Sequence, residues 1–419
     1  MNFKRFVLVF LISFLSPSDG WAEDDISWRV TNPSLTALYS EGLNSAQSGQ
    51  GIVAGQHSLI YNNAGIVPEE GLNFYFSLSL SGKGGPFEAA LEPLFFVDWG
   101  ITPARGAHGT IHKGYLRFTK SALHLDIGKE SLWWGQGAHG SLFLTNNAKP
   151  LPMLRLFSNP TLLPNIFRYL GPFQFDIFFS QLEADRVIPK PYFQGTRITI
   201  KPHPILDLGF TRTIMMGGEG PKGINPSQFI TIWFGENKEG GEDSSNSIAG
   251  IDFRLTLPDA QFYGEVGGED EAGGYPSKDA FLLGVYLPEN NFRIEYADIS
   301  NPAWYVHSLY QSGYTYKGRI LGHHVGGGGR DLFIEKGLIK TESVHGKINL
   351  DYEERGIVTA PVMERHYQVG TAFQLNAGIM IIPWTGQINF AYDWIHNAGY
   401  ALGFNQENAL FMFSFIGQI

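Results

Sequence analysis

A period of two constrains this chain more than any other feature. Leu72, Phe74, Phe76, Leu78 and Leu80 alternate with Asn73, Tyr75, Ser77 and Ser79. Phe173, Phe175, Ile177 and Phe179 are interleaved with Gln174, Asp176 and Phe178, and Ile388, Phe390, Tyr392 and Trp394 with Asn389, Ala391 and Asp393. Further runs centre on Leu125, Phe253, Ile294 and Leu350. Successive side chains of a strand point to opposite faces, so each run builds a strand with one bulky apolar face and one polar face. Past residue 22 no stretch approaches the ~18 consecutive apolar residues of a membrane-spanning helix, so membrane residence has to be by barrel.

Soluble sandwiches alternate too, and the chain end separates the two readings. Phe411, Phe413, Phe415, Gly417 and Ile419 share one face of a strand running to the last residue. In a soluble protein that face is an aggregation hazard; in a barrel wall it meets lipid. Bacterial outer-membrane barrels close with such a strand, most often ending in Phe, and Ile419 stands in that place.

The start of the chain gives an address. Lys4 and Arg5 precede the apolar run Phe6 to Leu15, and Gly20-Trp21-Ala22 offers small residues for signal peptidase, with cleavage before Glu23. Residues 1–22 read as a signal peptide and 23–71 as a segment inside or below the barrel, with a short helix starting at Ser34. Residues 72–419 read as the barrel. At 9 to 11 residues per strand plus connections, the barrel takes roughly 18 antiparallel strands.

Composition removes other classes. With no cysteine there is no disulfide, thiolate zinc site or iron–sulfur cluster. A net charge of -10 argues against nucleic acid. No nucleotide-binding loop, nucleophile elbow or His-Glu-x-x-His run occurs. Glu269-Asp270-Glu271, framed by glycines, reads as a solvated acidic turn rather than a catalytic pair, and the stretches 235–247 and 322–329 read as extracellular loops. His323-His324, in the second of these, lacks the spaced partners of a metal site. We therefore expect no catalytic residues, no cofactor and no metal.

The densest constellation runs from Gly128 to Pro150 and on to Arg155. Paired tryptophans beside glycines, then amides and an arginine, suit sugar recognition: aromatic faces stack on pyranose C–H groups, and amide and guanidinium groups meet hydroxyls or carboxylates. The competing reading is an aromatic girdle at a membrane edge. Trp133-Trp134-Gly135, Gly140-Ser141-Leu142 and Asn146-Asn147-Ala148-Lys149-Pro150 resemble the signature of the Wzi family of capsule assembly outer-membrane proteins. That resemblance implies an 18-stranded outer-membrane barrel of lectin-like, non-enzymatic function. Its implied partners are capsular or extracellular polysaccharide, outer-membrane lipid and the barrel-insertion machinery, with the barrel acting as a monomer. Candidate polysaccharide contacts are Trp133, Trp134, Asn146, Asn147 and Arg155. The alternative is a general porin, its lumen lined by the charged residues of the alternating strands.

Overall fold

The computed structural model describes residues 27–42, 58–100, 106–220, 245–272, 275–379 and 382–417. They form a closed wall of 18 antiparallel strands, each bonded to its neighbours in sequence. Closure comes from Ser27–Glu41, which pairs with Gly71–Gly84 on one side and with the last strand, Asn405–Gly417, on the other. One wall position is shared by Leu151–Ser158 and the two-residue Thr161–Leu162, both paired with Pro172–Gln181 across the interruption at Asn159-Pro160.

The first strand corrects the reading of residues 23–71. No helix starts at Ser34: Leu35 and Tyr39 point outward at 52% and 40% exposure, while Leu38 and Ser40 are buried on the inner side. The turn-like Asn32-Pro33 marks a break in register between Thr31 and Ser34, with Asn32 at φ 50°. A bulge leaves such residues unpaired while the strand continues. Of residues 58–70, Ser58, Ile60 and Ala64 are buried. Ile419 falls outside the described residues, as does most of the acidic stretch 235–247, whose last three residues open the strand Ser245–Thr256.

Burial along the strands is inverted relative to a soluble protein. Ile127, Leu154, Phe210, Ile251, Val266, Leu283, Leu350, Phe390 and Phe413 are exposed. Asp126, Arg197, Asp252, Glu265, Glu295, Asp331, Asp351, Glu353 and Asp393 on the same or adjacent strands are buried. Outward apolar groups meeting hydrocarbon and inward polar groups are the pattern of a transmembrane barrel. Inner charges pair across strands, as in Arg117–Asp126 at 2.8 Å, Arg155–Asp176 at 2.7 Å and Arg197–Asp252 at 2.7 Å. Phe413→Arg is expected to cost about 2–4 kcal/mol in urea unfolding from lipid vesicles. Ser414→Ala, on the inner face beside Thr36, should stay under about 1 kcal/mol; equal costs would mean the faces are misassigned.

The two barrel ends differ. One carries both described chain ends and mostly short turns, such as 121–122, 204–205 and 341–343; the other carries the long connections 131–150, 182–191 and 300–328. Outer-membrane barrels put short turns in the periplasm and longer loops outside. Two of these long connections, 131–150 and 300–328, fold back into the lumen. They form its hydrophobic core with Trp134, Leu142, Phe143, Trp304, Tyr305 and Tyr314, packed on the wall residues Phe178 and Phe193.

Candidate functional site

The signature loop is held by carboxylates of the wall. Glu265 accepts hydrogen bonds from the backbone N–H of Gln136, Gly137 and Leu142 and from the Ser141 hydroxyl, at 2.7 to 2.9 Å. Glu295 accepts from the N–H of Ala138, His139 and Gly140 at 2.8 to 3.1 Å and from the Tyr263 hydroxyl at 2.8 Å. A loop curled so tightly that consecutive N–H groups converge on one carboxylate leaves little room for side chains. Gly135 sits at φ 138°, and a Cβ there would collide with Ser141 and Glu265; one on Gly140 would strike the His323 ring. The glycines of the signature are thus a steric requirement of this docking.

The second inward loop lies against the first. Tyr305 Oη donates to the Leu142 carbonyl at 2.6 Å and Tyr314 Oη to the Phe143 carbonyl at 2.9 Å, and the two rings stack at 5.2 Å. Burial pushes both phenols up from their ordinary range, so they stay protonated donors. Glu269 is buried and accepts from the Tyr305 N–H at 2.6 Å, so it belongs to the inner wall and not to a solvated turn. Its period-2 position in Gln261–Ala272 outweighs the flanking glycines.

Three of the five sequence candidates come together. Trp133, Trp134 and Arg155 line a cleft of about 370 Å³ with Ser131, Gln174, Asp176, Arg197 and Thr199. Trp133 keeps 36% of its surface exposed and donates from Nε1 to the Gly137 carbonyl at 3.0 Å. Trp134 is 3% exposed, packs on Phe178 at 5.2 Å and donates to Asp176 at 3.3 Å, so only its edge reaches the cleft. Arg155 grips Asp176 through two bonds of 2.8 and 2.7 Å and lies over the Phe157 ring at 4.2 Å.

Asn146 and Asn147 lie elsewhere. Asn147 is fully buried; its Nδ2 donates to the Ile320 carbonyl at 3.1 Å, and its Oδ1 accepts from Asn62 N and Arg319 Nη1 at 3.4 Å. The Asn146 carbonyl accepts from Ala64 N at 2.6 Å. The Asn147 amide and the Asn146 main-chain carbonyl staple the signature loop to the second inward loop and to 58–70, which takes Asn147 away from any polymer. Burial lowers the Arg319 guanidinium at this junction to about 10.

A second cluster escaped the sequence reading. His323 and His324 do lie in a connection at the long-loop end, but it folds inward and buries them in the lumen beside His139 of the signature. His139 Nε2 is 3.0 Å from Asp351 and 3.4 Å from Asp331, and His324 Nε2 is 3.2 Å from both Asp331 and Glu353. Tyr61 stacks on His324 at 4.2 Å and Phe333 on His139 at 3.8 Å. Burial opposes charging of the His139 imidazole, but Asp331 and Asp351 more than offset it and hold its pKa well above the usual histidine value. The partners are far apart in sequence, so no local spacing betrays them.

The family model of capsule assembly protein Wzi matches residues 45–377. The chain belongs to this family. An uncharacterized Klebsiella pneumoniae protein in the cps region is 31% identical over 193 residues, spanning 43% of this chain and 36% of that relative. The chain thus matches about a third of the length of that curated relative. Among solved structures, Escherichia coli Wzi, an outer-membrane protein involved in group 1 capsule assembly and a carbohydrate-binding β-barrel, is similar over 98% of this chain and 88% of its own, at TM-score 0.68 and 22% identity. The Pseudomonas aeruginosa OprD crystal structure is similar over 96% of this chain and 98% of its own, at TM-score 0.51 and 9% identity. At these identities both likenesses establish the fold. Family and fold place the Wzi-family chain in the bacterial outer membrane.

Proposed function

We propose that this capsule assembly barrel binds capsular or extracellular polysaccharide without converting it, and so helps retain polymer at the cell. The observation that carries the reading is the cleft under the signature loop. It pairs a half-open indole face with two guanidinium groups, an amide and two hydroxyls, and its volume of about 370 Å³ falls within the range of small-ligand sites. Asp176 is the one carboxylate among its lining residues and is already engaged by Arg155 and Trp134, whereas glycoside hydrolysis needs two carboxylates across the bond. Gln174, Arg155 and Thr199 sit in the middle and turn-end parts of their strands. A closed wall has no free strand edge to pair, which supports a monomer seated in outer-membrane lipid after delivery by the insertion machinery.

The two tryptophans separate binding from folding. Trp134→Ala empties a packed site and is expected to cost about 3–5 kcal/mol in unfolding. Trp133→Ala, at a half-exposed position with one hydrogen bond to Gly137, should cost less, about 1–2 kcal/mol. In the host it should release cell-bound polymer into the medium at unchanged total yield, as deletion of the gene should. Normal polymer distribution in both the deletion strain and a strain with folded Trp133→Ala, Gln174→Ala protein would defeat the proposal. The channel alternative predicts steady conductance in planar bilayers; with the loop core inside the wall, we expect little.

A further inference from the structure

The cluster at His139 is built from four separate pieces of the chain. His139 comes from the signature loop, His324 from the second inward loop, Asp331 from the start of Gly329–Lys340 and Asp351 from Val344–Arg355. All four are buried, and one ligand atom from each lies within 4.8 Å of the others. A tetrahedral ion with bonds of about 2.0–2.1 Å sets its ligands about 3.3 Å apart. Two of the separations, at 3.4 and 3.2 Å, already match that spacing, and the third, at 3.0 Å, is a His139–Asp351 hydrogen bond that an ion would replace.

The polar atoms at the centre are also poorly served by the protein. Both ring nitrogens of His324, Asp331 Oδ2, Asp351 Oδ1 and Glu353 Oε1 are buried without a hydrogen-bond partner. The 3.2 Å contacts of His324 Nε2 are thus close approaches without hydrogen-bond geometry. Buried polar groups are ordinarily satisfied, and a set of lone pairs converging on one point is satisfied by a cation. Asp331, Asp351 and Glu353 crowd three carboxylates together here, and Arg355 engages Glu353. Two imidazoles among the donors select a zinc-like divalent transition metal over magnesium or calcium, which take oxygen ligands.

We propose that His139, His324, Asp331 and Asp351 form a closed four-coordinate site for a divalent transition-metal ion, which pins both inward loops to the barrel wall. With four buried protein ligands, the site is structural. Its effect is to fix the fold of the signature loop, and with it the cleft floor. Metal binding of this kind is linked to folding, so the loops close around the ion as the barrel forms.

The test uses the full mature chain, unfolded in urea with EDTA and refolded into detergent with or without Zn²⁺. The expected result is one zinc per chain retained through gel filtration and an unfolding midpoint that rises with zinc concentration. Co²⁺ in its place should give the visible absorption of a tetrahedral site. His324→Gln and Asp351→Asn, close in shape to the native residues, should weaken zinc binding at least about 100-fold. His203→Gln, an exposed histidine by a turn, should leave it unchanged. Heat-modifiable gel mobility verifies that each variant has folded. Folded wild type with no stoichiometric zinc and the same midpoint in zinc and EDTA overturns the proposal. So does zinc held equally by His324→Gln, which would mark adventitious binding.

Discussion

Replacing both Glu265 and Glu295 with alanine is expected to turn a barrel of little conductance into an open pore. These two wall carboxylates accept six backbone N–H groups of the signature loop between them. Each donor left dry without a partner costs about 1–3 kcal/mol. Six together exceed what the loop's apolar contacts can hold in place, so the cheaper course is for the loop to leave the wall and rehydrate. Leu142, Phe143 and Leu144 leave with it, and the stacked tyrosines of the second loop lose the carbonyls they donate to. The wall itself is untouched, because its strand ladders do not pass through these side chains. Planar-bilayer recording should therefore show steady channels in the double variant and rare or none in the parent. Glu295→Gln, which keeps an acceptor, should sit between them. A folded double variant that stays closed would show that the loop core holds the lumen by itself.

That anchoring also shows what sequence reveals and what it hides. The wall was legible because a strand with lipid on one side and charge on the other has a strict period, and Asp126, Asp252 and Asp393 fall where the period puts them, facing inward. The first strand was not, because Asn32-Pro33-Ser34 carries the residues of a turn and helix start, and only its pairing with Ser79 and Ser77 on either side of the break shows a bulge. Trp133 and Arg155 were recognisable as chemistry, and they do share a cleft. Asn147 looked equally suited to a sugar, but its surroundings consist of chain more than a hundred residues later, Ile320 and Arg319, which no local pattern announces. His324 illustrates the same limit in reverse. Its neighbour His323 stacks on it at 4.6 Å, but its other contacts come from Asp331, Glu353 and Tyr61. Side chains that close a lumen are chosen by the opposite wall.

Asp176→Asn is expected to move stability and binding in opposite directions. Asp176 takes both arms of Arg155 and the Trp134 indole N–H, so its charge is neutralised where it stands. Removing that charge leaves a cation in a partly dry cleft. A fully buried pair broken on one side costs about 3–5 kcal/mol, and since Arg155 retains some contact with solvent, about 3 kcal/mol is the appropriate end of that range. The same change frees a planar guanidinium beside Trp133, the geometry that grips a uronate carboxylate bidentately. Calorimetry with uronate-bearing oligosaccharides should show affinity rising about tenfold, or about 1.4 kcal/mol. Neutral oligosaccharides should bind no better than to the parent, because stacking on Trp133 is unchanged. If both classes lose affinity together, Arg155 shapes the cleft and does not read the charge of the polymer. If only the acidic class gains, the Arg155–Asp176 pair sets how strongly the barrel prefers an acidic capsule, and its strength becomes the quantity to tune.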